Sequence, residues 1–270
     1  MYSGLLITRH SGNWLGAHQK FNKIAYRLVL PEIDMKTFPS IDGILHFEGY
    51  NGPDGLKKKS AGHHEPSHFY DPLEGRGAVL AEIRNHYVLL VDALKKQDKV
   101  RSAFEASWLA HAITDGLTPA HHYPFEEAVK QLRQGAKSDV REFRQKMIVS
   151  GPTRRQTIAK TWKLMGAKGL LSTHLHFELG VAASVATGRF NSQLNLSLLE
   201  NAAREGPVRF FKDQARMIAG LSLYEKFYRT GWTVKLARLI RKVLTPAITE
   251  TIAVVWLLAY QEAGYKLRNS

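Results

Sequence analysis

Along most of this chain of 270 residues the apolar side chains recur every three or four positions, and nowhere do they alternate over a run long enough to build a sheet. That spacing gathers them on one side of a helix, so an all-α fold is expected. The first stripe, Phe21, Ile24, Ala25, Leu28 and Val29, predicts a helix over residues 18–30 that Pro31 stops. From there to Pro72, prolines and glycines interrupt any long element, leaving an irregular segment rich in His and Asp. Long irregular segments inside compact chains tend to be functional.

The helical period then returns. Val79, Ile83, Tyr87, Leu90 and Leu94 share one face; Ala103, Trp108, Ala112 and Ile113 continue in a second helix toward Pro119. Further helices are expected over 125–133, 170–186, 193–211, 214–227 and 232–244, with Pro246 opening a last one that ends near Tyr265. Residues of about 134–168 are strongly basic and read as an exposed insertion in a single domain spanning 1–270. No stretch approaches the ~20 consecutive apolar residues of a membrane span, and residues 251–260 read as a buried helix. The apolar run at residues 4–7 is too short for a secretion signal, so a cytoplasmic chain is expected by default.

Cysteine is absent, which removes disulfides, thiolate metal sites and thiol nucleophiles together. Any metal must be held by nitrogen and oxygen. Lys and Arg number 38 against 24 Asp and Glu, a net charge of +14 that favours anionic partners. The 12 His therefore decide whether this is a basic helical protein or a metalloenzyme.

In the run from Trp108 to His121, His111 and Asp115 stand four apart on a helix and project side by side, and Gly116 and Pro119 let His121 turn back toward them. His174 and Glu178 repeat the spacing on a face otherwise made of Leu170, Leu171 and Val181, where a carboxylate needs a partner charge or a metal. His176 is rotated by about 200° from His174 and points elsewhere. In the irregular segment, Gly52-Pro53-Asp54 and Ser67-His68-Phe69-Tyr70-Asp71-Pro72 add an acid and a histidine, and Asp71 reads as a turn residue. His10, His46, His63, His64, His86 and His122 are left out of the metal set.

Taken in order, these residues resemble the zinc-dependent phospholipase C family, which shares its helical fold with the fungal-type single-strand-specific zinc nucleases. The resemblance runs from about His18 to Ala186. It implies one zinc held by Asp54, His68, His111 and Asp115, and a second held by His121, His174 and Glu178. Asp115 would also reach a third, with His18, giving two to three ions per chain. In the family an N-terminal Trp completes that third site; here seventeen residues precede His18, and Trp14 lies four before it. The basic insertion also makes the gap between His121 and His174 longer than in the bacterial lipases. The implied activity is hydrolysis of a phosphodiester, either phospholipid or single-stranded nucleic acid, by metal-activated water, with Asp54 orienting or deprotonating it. Phe69, Tyr70, Tyr123 and Phe125 lie next to ligand positions and suit either substrate.

Two classes of function stay open on the sequence. One is that phosphodiesterase. The other is a non-catalytic basic helical protein that binds nucleic acid or anionic surfaces around a structural metal. Lys235, Arg238, Arg241 and Lys242 oppose an apolar stripe on their helix, so peripheral contact with an anionic membrane is open as well.

Overall fold

In the computed structural model, residues 16–55, 69–133, 148–186, 188–190 and 193–268 are described. Among them every regular element is helical, and the sole extended pairing is an isolated bridge between Asp71 and Arg76. The all-α expectation holds.

The chain opens with α1 (Ala17–Val29) and the short α2 (Ile41–His46), followed by a 3-10 turn at Gly49–Asn51. The long antiparallel pair α3 (Val79–Lys95) and α4 (Lys99–Gly116) comes next; Asp98 caps α4 by accepting from Arg101 N at 2.9 Å. A second 3-10 turn, Pro119–His122, leads to α5 (Phe125–Leu132). Then follow α6 (Arg154–Met165), α7 (Leu170–Ala186), α8 (Leu196–Glu205), α9 (Pro207–Gly220) and α10 (Leu223–Thr230). The chain finishes with α11 (Val234–Leu239), a π turn at Ile240–Leu244, and α12 (Thr245–Glu262).

α12 is the axis of the core. Residues from Ile252 to Tyr260 are buried on every side, and α1, α3, α4, α8 and α9 pack around them. A helix apolar all round suits only such an interior position. Helix 234–262 is long and apolar enough by composition to cross a membrane, but most of it is buried in the fold, as a core helix would be. Trp256 is fully enclosed, and its indole Nε1 donates to Ala106 O of α4 at 3.1 Å, so a bulky ring enters the core with its one polar atom satisfied. Phe38, Trp256 and Tyr260 form an aromatic cluster, and the Tyr260 hydroxyl accepts from Asp34 N at 3.1 Å.

Two expected boundaries are corrected. The stripe over 193–211 is broken at Gly206, where φ is +80° and Pro207 starts a new helix. The helix expected over 214–227 is likewise divided, because Ser222 adopts a left-handed conformation between α9 and α10. Pro246 does open the last helix as expected, in its first turn, where no amide hydrogen bond is needed, and the π turn before it joins that helix directly to α11.

Of the basic insertion, residues 134–147 lie outside the described residues, while 154–165 form α6. Arg154 and Arg155 at its start, with Ile158 and Trp162, are exposed, and the helix packs against α5 and α7. On α11 and the π turn, Lys235, Arg238, Arg241 and Lys242 are exposed while Leu236, Ile240 and Leu244 are buried, the solvated face of a packed helix.

Candidate metal centre

Three pieces of backbone converge on one buried carboxylate, Asp115. It stands on the last turn of α4, 1% exposed, with His111 one turn before it. His111 Nε2 lies 3.2 Å from Asp115 Oδ2, and His18 Nε2, arriving from the first turn of α1, lies 3.3 Å from Oδ1. His121 is brought back by the Pro119–His122 turn, with Nδ1 at 3.6 Å from Oδ1. That turn is pinned from outside: Tyr70 N donates to His121 O at 3.1 Å.

On the far side of His121 is α7. His121 Nε2 and His174 Nε2 both face Glu178 Oε1, at 3.0 and 3.1 Å, and the two rings stack 5.2 Å apart within 3° of parallel. Glu178 is 8% exposed and His174 half-buried. Asp54, on a helical turn at residues 53–55, approaches from the irregular segment with Oδ1 at 3.9 Å from His111 Nε2. Its side chain, 23% exposed, is the most open carboxylate of the cluster.

Two groups here can hold a metal ion, one of His18, Glu48 and His111 and one of His121, His174 and Glu178. The chemistry of the donors fits a borderline cation, because all are imidazole nitrogens or carboxylate oxygens. The spacing fits as well. Donors bonded to one tetrahedral cation at ~2.0 to 2.2 Å stand about 3.3 Å apart, and the pairs of His18 and His111 with Asp115 and of His121 and His174 with Glu178 lie between 3.0 and 3.3 Å.

The field inside the cluster is uneven. Burial opposes charge on His111, yet Asp115 and Glu48 outweigh it and push the imidazole up to about 10. His121 goes the other way: burial dominates and takes it down to about 4. Burial likewise works against the charge of Asp54, but His111 holds its carboxyl below the ordinary range. Glu178 is held well below it, burial notwithstanding, with bonds from His121 and His174 contributing.

The structure thus brings together seven of the eight positions singled out in the sequence: His18, Asp54, His111, Asp115, His121, His174 and Glu178. The eighth, His68, lies outside the described residues. The residue that sequence reasoning missed is Glu48, 1% exposed, with Oε2 at 3.3 Å from His111 Nδ1. Its signal was faint, an acid amid Gly49, Gly52 and Gly55 with no helical partner at ligand spacing.

Residues set aside mostly behave as expected. His176 is exposed, and its carbonyl accepts from Trp232 Nε1 at 3.1 Å. His122 turns from the cluster and donates through Nε2 to Gly116 O at 3.0 Å. Asp71 is a turn residue, with Oδ1 accepting from Leu73 N and Glu74 N. Tyr70 is core, fully buried against Phe211, and so is not a substrate platform, whereas Tyr123 is 44% exposed. His86 has partners that its neighbourhood in sequence only half announced, with Glu105 at 2.6 Å and Glu82 at 3.4 Å, on the α3–α4 pair away from Asp115.

Compared with models of known protein families and with curated proteins, the chain matches none.

Proposed function

We propose that this protein is a zinc-dependent phosphodiesterase, hydrolysing phospholipid headgroups or single-stranded nucleic acid. The observation that carries the reading is Asp115, a buried carboxylate faced by His18, His111 and His121 from three separate elements and lying between two donor groups. A carboxylate so placed would be shared by ions held in the two groups and would lower their mutual repulsion. Zinc bound there supplies Lewis acidity toward a phosphate oxygen and lowers the pKa of water.

The chain's own residues account for the remaining roles. Asp115, His111 and Asp54 would hold one ion together with His68, the pair His174 and Glu178 would hold another with His121, and His18 would meet a third through Asp115. Asp54 keeps its carboxylate form against burial and is partly open to solvent, so its Oδ1 can accept the proton of an attacking water and keep that water oriented. The cationic surface, with Arg154 and Arg155 on the helix packed against α7, draws a phosphate toward the cluster.

The test is a parallel assay of the intact chain, loaded with zinc, on phosphatidylcholine vesicles, single-stranded DNA and RNA, with metal counted by elemental analysis. Hydrolysis of at least one substrate, lost on chelation and restored by zinc, is expected. Fewer than two zinc per chain, or full loading with no hydrolysis of any of the three, favours a structural metal in a non-catalytic binding protein.

A further inference from the structure

Glu48 is a carboxylate with no role in the hydrolysis outlined above, and it is fully enclosed. Burying such a charge is costly unless its oxygens are satisfied. Asn22 Nδ2 of α1 donates to its Oε1 at 3.3 Å, and its Oε2 faces His111 Nδ1 at 3.3 Å.

The backbone that carries it leaves little freedom. Gly49 has φ of +61°. A Cβ on Gly52 would fall 2.7 Å from Phe47 O and 2.9 Å from Glu48 Cα, and one on Gly55 would fall 2.0 Å from Tyr50 O. The turn is therefore wound so closely that side chains at those positions would unwind it. Wound this way, one short segment sets two acids, six residues apart, against opposite nitrogens of the same ring: Glu48 at Nδ1, and Asp54 at Nε2 at 3.9 Å. His18 lies flat on that ring at 4.0 Å, closing one face.

The geometry points to Glu48 as the positioning residue of the centre: it takes the hydrogen bond from His111 Nδ1–H, fixing the rotation that aims Nε2 between Asp115 and Asp54 and keeping the proton on Nδ1 when Nε2 gives up its own. An imidazole ligand whose second nitrogen donates to a carboxylate is a better base toward a metal, and losing such a partner typically weakens metal affinity 10- to 100-fold. The inference rests on reading the cluster as a metal centre, but it concerns the ring's anchorage and does not require the chain to hydrolyse anything.

The experiment compares the full chain with Glu48→Ala and Glu48→Gln. Zinc is titrated against a chromophoric chelator, the ions bound at saturation are counted, and the His111 side chain is followed by NMR after 15N-histidine labelling. Glu48→Ala is expected to bind zinc about 10- to 100-fold more weakly with an unchanged count at saturation, and Glu48→Gln, which keeps an acceptor for Nδ1–H, to recover part of that loss. Loss of one ion per chain at saturation would instead make Glu48 a direct ligand beside His18, and unchanged affinity would reduce it to a packing element; either overturns the assignment. Should Glu48→Ala fail to fold, the comparison of wild type with Glu48→Gln decides, together with the wild-type spectrum, which must show His111 protonated at Nδ1. Should the chain take up no zinc, the phosphodiesterase reading falls by itself. The anchorage is then decided in the metal-free chain: an Nδ1 proton shielded from exchange in wild type and exchanging freely in the variant supports it, and a freely exchanging wild-type proton overturns it.

Discussion

The imidazoles of His18 and His111 stack with centroids 4.0 Å apart and planes 9° from parallel, and their Nε2 atoms meet different oxygens of Asp115, at 3.3 and 3.2 Å. One ring comes from α1 and the other from α4, so the relation of two helices is locked at the point where the donors meet. Each ring restrains the other's rotation, and the edge of the pair presents one Nε2 to each oxygen of Asp115.

Asp115→Asn is expected to cut zinc bound at saturation to no more than one ion per chain and to lower phosphodiester hydrolysis at least 100-fold, because an amide cannot serve two cations. His176→Ala, on the exposed side of the same helix that bears His174, should leave both within twofold. Elemental analysis and initial rates read the pair of variants; equal effects contradict the assignment of donors.

Zinc uptake should release protons. With its pKa pushed up to about 10, His111 is protonated in the metal-free chain at pH 8, and that proton must leave before Nε2 can coordinate. Calorimetry of zinc binding in two buffers of different ionisation enthalpy measures the number released, with at least one expected from His111. Apparent affinity should fall as pH is lowered, and a pH-independent affinity between pH 6 and 8 would contradict this.

The metal-free chain should lose stability in mild acid. Burial takes His122 down to about 4, so between the ordinary value near 6.5 and that point the unfolded chain binds a proton that the folded one refuses. Its contribution is complete above pH 6.5 and is lost as pH falls toward 4, roughly 3 kcal/mol in all. Urea unfolding across that range measures the loss. His122→Gln, whose amide nitrogen can take the place of Nε2 as donor to Gly116 O but does not titrate, should flatten part of the curve.

Gly180 is the place where α7 meets Trp232: a Cβ there would fall 1.8 Å from the indole. Gly180→Ala must push the ring off its seat against Phe177 and off the carbonyl of His176. A destabilisation of about 1 to 3 kcal/mol is expected by urea unfolding, with weaker zinc binding at His174 and Glu178 because the helix that carries them shifts. A variant as stable as the parent would show that the ring moves at no cost.

Chelation should soften the whole fold. The donors span α1, α4 and α7, so a bound ion stabilises by linkage about 4 kcal/mol per site at a thousandfold excess over its dissociation constant. For a chain of this size that is a rise in melting temperature on the order of 10 °C. Calorimetric scans with zinc and with EDTA provide the comparison.

Much of this was legible because helices advertise themselves at short range. His111 with Asp115, and His174 with Glu178, are one turn apart, so sequence alone places each pair on one face. What joins the pairs is tertiary and leaves no periodic trace: the stacking of His18 on His111, and the return of His121 to Asp115, depend on how α1 and the Pro119–His122 turn dock. Glu48 stayed hidden for the same reason, since its position is set by a glycine-wound turn rather than by a period. The division at Gly206 was misread because a single glycine inside an apolar stripe can be either a tolerated helix residue or a break, and only its backbone conformation decides.

The buried axis α12 lies after every donor in the chain, from His18 to Glu178, yet it packs along both α1 and α4, the helices that bring His18 and His111 together. A polypeptide emerging from the ribosome therefore displays its histidines and acids long before the support that arranges them exists. The cluster around Asp115 is expected to close only once α12 has been made and has packed along both helices.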